Sequence, residues 1–363
     1  MNGTFRIAAK TVHIWLGLAV GLPFCMMGLT GSLLVYRADI EKMLRPNWHA
    51  HSTTRSPQPL SEAERNIKAR FPNSTLQHVS LSEFEFTIRD RGKQTHVYCD
   101  PLTGELLGTF KVPWLDWRVG LHHNLRLGPA GRQIAGAIGI ALFLTSISGL
   151  ALWLWRGVLR NGTWRSVFQI DWRRRKTANF QLHRLSGLAA NVFLLILSST
   201  GIVLGFPRTF RSLVKEPTRV TVEKVGERLP LEMLLQSALR EIPGGQAKEL
   251  RLPQNNAAPV TVRIWHAGDF RPEGSNQVSL NPSTAAVLSV DRSADWSTAK
   301  RIVMSPTPIH YAEWGGGIVK ALWCVTGIAP TLLFLSGFAI RWMGFRAAKR
   351  APKQVSQAVL TAQ

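Results

Sequence analysis

Residues 13–36, HIWLGLAVGLPFCMMGLTGSLLVY, and residues 183–206, HRLSGLAANVFLLILSSTGIVLGF, decide how this chain is read. Each opens on a histidine, runs on through apolar positions, and repeats the other's landmarks. Glycine stands four residues after the histidine (Gly17, Gly187), and a Thr-Gly pair follows at seventeen and eighteen (Thr30-Gly31, Thr200-Gly201). A second pair of histidines keeps its own register. His122 and His310 are followed by glycine six residues on (Gly128, Gly316) and by Ser-Gly at twenty-six and twenty-seven (Ser148-Gly149, Ser336-Gly337). Agreement at so many offsets points to an internal duplication.

Hydrophobic residues make up 45% of the chain, a share that soluble proteins also reach, but here they are segregated. Residues 14–36, 134–155, 185–206 and 318–340 are each long enough to cross a hydrocarbon layer about 30 Å thick, which takes roughly 20 apolar residues. Four spanning helices are predicted. Arg6 and Lys10 before the first, Arg156 through Lys176 after the second, and Arg341 through Lys353 after the fourth place both termini inside, because flanking Lys and Arg stay cytoplasmic. The two long connections then lie outside. The expected order is span 1–37, external module 38–120, span 121–156, basic inner loop 157–182, span 183–206, external module 207–309, span 310–342 and inner tail 343–363. The location this gives is the inner membrane of a bacterium, with the large loops in the periplasm.

A net charge of +22 raises nucleic acid as a partner, but the excess gathers beside the spans, where anionic lipid headgroups account for it. No nucleic-acid partner is expected. The first apolar stretch exceeds a signal-peptide core and no small-x-small site follows it, so it reads as an uncleaved anchor. Cys25 and Cys324 lie within spans and Cys99 in an external loop, with no CxxC or CxxCH among them. Disulfides, iron–sulfur clusters and covalent haem are therefore not expected.

The external segments carry a second repeat. LSEAERNIKARF follows Pro59 as a polar helix with Ser61 as its expected N-cap, and alternating runs follow as strands up to LLGTF. LPLEMLLQSALREI and the runs KELRLP, PVTVRIWH and NQVSLNP repeat that plan, and the Asp100-Pro101 and Asn281-Pro282 turns stand in equivalent places. The fold class expected is a membrane α-helical protein of four spans with two small α+β external modules.

Taken singly, a histidine at a helix end is a cap or an interfacial residue. Four in matched register at span ends differ from His49, His51, His78, His96 and His266, which lie in the external parts. His13 and His183 begin helices running outward and share the inner level; His122 and His310 precede helices running inward and share the outer one. Neutral imidazole is a good axial ligand for haem iron, so two non-covalent, bis-histidine haems b are predicted, one near each face. The register prefers His122 over its neighbour His123. Gly31 falls on the face of His13 after five helical turns, where a missing Cβ admits a macrocycle or a neighbouring helix. Gly128-Pro129 is expected to break the chain between His122 and its span. Trp323 lies between the two levels, a packing residue that could also assist electron passage.

These residues resemble the PepSY-associated transmembrane proteins, also called iron-regulated membrane proteins, whose members include inner-membrane ferric-siderophore reductases. The resemblance rests on HIWLGL with LTGSLLVY, WRVGLHHNLRLGPAGR, LHRLSGL with SSTGIVL, and IHYAEWGGGIVKALW followed by LSGFAIRW, and it spans nearly the whole chain. It implies PepSY-like periplasmic modules, haem ligands at His13, His122, His183 and His310, and an oxidoreductase passing electrons outward to reduce a ferric siderophore and release ferrous iron. The ferrioxamine B reductase type is the nearest. No GxGxxG turn or other nucleotide signature occurs, so the electron donor is a separate cytoplasmic protein or a quinol. Two other classes compete: a non-enzymatic sensor or protease-modulating protein acting through the external modules, and a transporter of the metal ion itself. The transporter lacks support, because the spans hold no internal Asp or Glu.

Overall fold

The computed structural model describes residues 3–46, 48, 59–157, 168–214, 222, 226–253 and 258–350, with side chains through residue 346. His49, His51, the basic positions 158–167 and the tail beyond residue 350 lie outside the described residues. In chain order the first half comprises α1 (Gly3–Ala19), α2 (Gly21–Leu34), α3 (Arg37–Leu44), α4 (Leu60–Arg70), strands β1 (Thr75–Ser80), β2 (Glu85–Asp90), β3 (Lys93–Cys99) and β4 (Leu106–Thr109), then α5 (Pro113–Asn124) and α6 (Gly128–Gly157). The second half comprises α7 (Arg175–Gly205), α8 (Pro207–Arg211), α9 (Leu231–Glu241), strands β5 (Gln246–Arg251), β6 (Val260–Trp265), β7 (Asn276–Leu280) and β8 (Val287–Asp291), then α10 (Thr298–Met304), α11 (Pro306–His310) and α12 (Gly316–Arg350). Two compact units result: a helical one drawn from residues 1–36, 118–206 and 317–363, and one containing the strands, drawn from 37–117 and 207–316.

In the helical unit, α6, α7 and α12 are each long and apolar enough to cross a membrane. Ile140, Val192, Val325 and Leu335 on them are exposed, a surface that water disfavours and lipid accepts. The expected first span, 14–36, is bent: α1 and α2 meet at 65° and reach spanning length only together. The cause is local. Pro23 has no N–H to offer the Ala19 carbonyl and its ring crowds that turn, while Gly21 lies so close to Phe334 that an added Cβ would sit 2.0 Å from its ring. Small residues likewise set the other crossings. A Cβ on Gly205 would meet Gly136 Cα at 2.4 Å, and one on Gly28 would meet the Gly327 carbonyl at 2.1 Å. Such contacts let helix backbones approach where lipid offers no hydrophobic drive. Polar ties add direction: Asn191 Nδ2 donates to the Ser146 carbonyl at 3.0 Å, and Ser32 Oγ to the Cys324 carbonyl at 2.8 Å.

The second unit corrects the expectation of two separate modules. Its strands form one antiparallel eight-stranded sheet in the order β4-β3-β2-β1-β5-β6-β7-β8. The halves join where His78, Val79 and Ser80 pair with Arg251, Leu250 and Glu249, which removes two edges that would otherwise invite foreign strands. Period-two alternation sends Val79, Phe86, Val97, Leu250, Val262 and Val278 to one face, where they bury against Leu60, Ala63 and Ile67 of α4 and Leu231, Leu234 and Ala238 of α9. Ser61 is not a cap. It is the second residue of α4, whose N-cap is Pro59, and its amide and hydroxyl both donate to the Glu232 carboxylate on α9. The paired turns close as expected: Asp100 Oδ1 accepts from the Leu102 and Thr103 amides, and Asn281 Oδ1 from the Ser283 and Thr284 amides.

Candidate functional site

Inside the helical unit, His13 on α1 and His183 on α7 face each other. Their ring centres are 6.2 Å apart and their planes cross at 82°. Each ring is held from behind by a different helix. His13 Nδ1 lies 3.1 Å from the Thr145 carbonyl and 3.4 Å from Ser148 Oγ on α6; His183 Nδ1 lies 2.8 Å from Ser336 Oγ on α12. The protons can be placed by elimination. Ser336 Oγ has one hydrogen and donates it to the Leu332 carbonyl at 2.7 Å, so it can only accept from His183 Nδ1–H. Ser148 Oγ donates to the Thr145 carbonyl at 2.9 Å, and a carbonyl can only accept from His13. Both imidazoles therefore carry hydrogen on Nδ1 and keep a lone pair on Nε2, the tautomer a metal ligand requires.

His122, near the end of α5, is set in the same way. Its Nδ1 lies 3.0 Å from Thr30 Oγ1 on α2, and that hydroxyl donates to the Met26 carbonyl at 2.7 Å. The Gly after each hydroxyl completes the pattern. A Cβ on Gly149 would lie 3.0 Å from Cε1 of His13, one on Gly337 3.3 Å from Cε1 of His183, and one on Gly31 2.9 Å from Cε1 of His122. Of the two occupants expected beside Gly31, the neighbouring helix is the one found, through the His122 ring of α5. Thr30-Gly31, Ser148-Gly149 and Ser336-Gly337 seat histidines of neighbouring helices, and the fixed offsets in the sequence carried that signal without the pairing.

The remaining candidates are placed as follows. His123 lies beside His122, ring centres 6.0 Å apart. His310 is the last residue of α11, in the unit that contains the strands. As expected at Gly128-Pro129, His122 does not ride on its span: Leu125, Arg126 and Gly128 adopt positive φ and separate α5 from α6. Ala312 and Gly316 do the same between His310 and α12. Trp323 is 3% exposed and meets Phe193 edge-on at 6.0 Å, a packed core position.

A haem fits the His13–His183 pair. Their ring centres, 6.2 Å apart, leave room for one metal atom between them, so a haem bound here would be held by His13 and His183. Among the described residues no three His, Cys, Asp or Glu side chains converge to hold a bare metal ion. Two imidazoles suit a cofactor that brings its own equatorial nitrogens.

The sheet's other face is polar and strongly coupled. Burial alone would raise the Glu249 carboxyl, but its hydrogen bond to His78 and the Arg263 and Arg251 charges outweigh that and hold it at about 2. Burial likewise acts against ionised Glu85, and His96 at 2.5 Å with Tyr98 at 2.9 Å keeps it below the usual carboxylate range. Glu313 goes the other way, raised to about 7 by burial and by Glu273, against the pull of Arg271 and Arg263.

Apolar helices of spanning length, joined in one chain to a helix-backed antiparallel sheet, define a multi-pass membrane protein that also carries a separate α+β unit. The chain belongs to the PepSY-associated TM region family, whose pattern matches residues 10–344. It is also 27% identical over 267 residues to a Pseudomonas aeruginosa protein described as uncharacterized protein PA4219, the match covering 65% of each chain. It thus spans about 65% of the length of that relative.

Proposed function

We propose that this chain is a di-haem b protein of the bacterial inner membrane that reduces ferric siderophores on the periplasmic side with electrons from a separate cytoplasmic or quinol donor. In this reading the duplicated register makes four spans, counting α1 and α2 as one broken span, with both termini cytoplasmic. The carrying observation is the pair His13 and His183, centred 6.2 Å apart with both Nδ1 atoms occupied across a helix boundary. Bound there, haem supplies a one-electron couple. The protein's own residues fix the ligands: hydroxyl or carbonyl oxygens set the tautomer, and the glycines let the helices close on the rings. By the repeat register His122 and His310 hold the second haem. Reduction of the substrate's iron weakens its hold in hard oxygen donors and so releases it.

The test is a pyridine haemochrome count on protein purified in detergent, with His13→Ala, His183→Ala, His122→Ala and His310→Ala. Wild type should carry two haems b and each variant one. A colourless wild type, or variants that keep both haems, overturns the reading and leaves the non-enzymatic sensor in its place.

A further inference from the structure

The two halves of the sheet share a plan but differ at one hairpin. β2 and β3 join through Arg91-Gly92, both at positive φ, whereas residues 266–275 join β6 to β7. Asp269 ties that longer loop down: its carboxylate accepts from the His266 and Ser275 amides, the Asn276 side chain and the Ser293 hydroxyl. The fixed loop and residues 292–309 frame a cleft of about 690 Å³, within the range of about 300–1,000 Å³ that ligand sites occupy. Pro308 and Ile309 line it, one residue short of His310.

The lining sets aromatic rings beside arginines. Phe270 comes from the loop; Trp296 is fixed by donating Nε1–H to Asp291 at 2.7 Å. Arg292 is offset by Glu241 at 3.5 Å. Arg301 donates to the Trp296 and Ala294 carbonyls, neutral acceptors that hold the guanidinium without cancelling its charge. Among the described residues no carboxylate forms an ion pair with Arg301 or Arg271; Glu313 acts on Arg271 only at longer range. Asp269 is engaged by its own loop. A ligand entering here meets two guanidinium groups outside any direct ion pair, with Glu313 and Glu273 acting only at longer range, next to flat rings; this favours negative charge spread over oxygens on aromatic donors, since arginine both pairs with such oxygens and stacks on rings.

We propose that this cleft binds ferric chelates of net negative charge with aromatic oxygen donors, the tricatecholate class, in preference to positively charged trihydroxamates. The ferric identity of the ligand rests on the function proposed above. The preference departs from the ferrioxamine B type that the sequence resemblance brought forward.

The experiment measures affinities of full-length protein in detergent for the gallium(III) tricatecholate and the gallium(III) trihydroxamate by tryptophan fluorescence. Wild type should bind the tricatecholate at least tenfold more tightly. Arg271→Gln and Arg301→Gln should each weaken that binding about tenfold or more and narrow the preference, with thermal unfolding unchanged. Equal or tighter trihydroxamate binding by wild type overturns the proposal, as does tricatecholate affinity untouched in both variants. Gallium takes up no electron, so the two readings fail separately. Binding lost in the variants upholds the cleft even in a colourless protein, and haem-loaded protein that ignores both chelates sinks the cleft alone.

Discussion

Replacing the glycines that back the histidines gives a graded test of the ligand geometry. Ordinary contact with a Cβ begins near 3.4 Å, and the alanine methyl would stand 2.9 Å from His122 at Gly31, 3.0 Å from His13 at Gly149 and 3.3 Å from His183 at Gly337. The imidazole must therefore retreat by about half an ångström in the first two and barely at all in the third. Functional side chains tolerate about 0.5 Å of displacement before their geometry is lost, and loss of outer support around metal-bound histidines costs about 10–100-fold in affinity. Gly31→Ala and Gly149→Ala should thus lose haem to apomyoglobin about 10–100 times more readily than wild type. Gly337→Ala should change by less than about tenfold, which is 1.4 kcal/mol. Gly17→Ala is the control, because nothing lies within 4 Å of its added carbon and alanine favours the helix. The assay is haem transfer followed by absorbance, with helicity checked by circular dichroism. If Gly31→Ala retains haem like wild type, or Gly17→Ala loses it equally, the claim that these glycines seat the ligands is wrong.

Ser336→Ala removes the acceptor 2.8 Å from His183 Nδ1 and should weaken retention of the haem proposed there about 10–100-fold and shift its potential; an unchanged redox titration counts against the tautomer argument. Glu249 is held at about 2 against an ordinary 4.5. Its contribution is therefore complete above about pH 4.5 and lost as pH falls toward 2, of order 2 kcal/mol after screening. Thermal unfolding of Glu249→Gln should show a lower melting temperature at pH 7 and a smaller acid-induced loss than wild type. Glu313 has the opposite sign. Held up at about 7, it keeps a proton that the unfolded chain sheds from about 4.5 upward, so stability falls as pH rises across that window. Glu313→Gln should flatten melting temperatures between pH 5 and 8; an unaltered slope would show that another group titrates there.

Much of this was legible because the governing patterns are local. Residues 60–70 and 231–241 read as helices, the period-two runs as strands, and the Asx-Pro pairs as turns, all from neighbours in the chain. The joining of β1 to β5 was not legible: His78 and Arg251 carry no local mark of their pairing, and the register is set by Val79 and Leu250 sharing one buried core. The bend near Val20 was hidden for a different reason. Its apolar flanks read as one continuous run, and Pro23 acts only through the carbonyl four residues back. At the candidate site the histidines and Ser/Thr-Gly pairs were visible, but which pair serves which histidine depends on helix neighbours, which no spacing along one helix reports.

The junction of Val79 with Leu250 bears on how the molecule is made, since the two paired residues stand 171 positions apart in the chain. When the N-terminal half has left the ribosome, β1 still offers an open edge and its partner has not been synthesised. Closure waits on a distant stretch of chain, which makes assembly slow and exposes the early half to aggregation. A chaperone that shields β1 in the interval would raise the yield of intact protein.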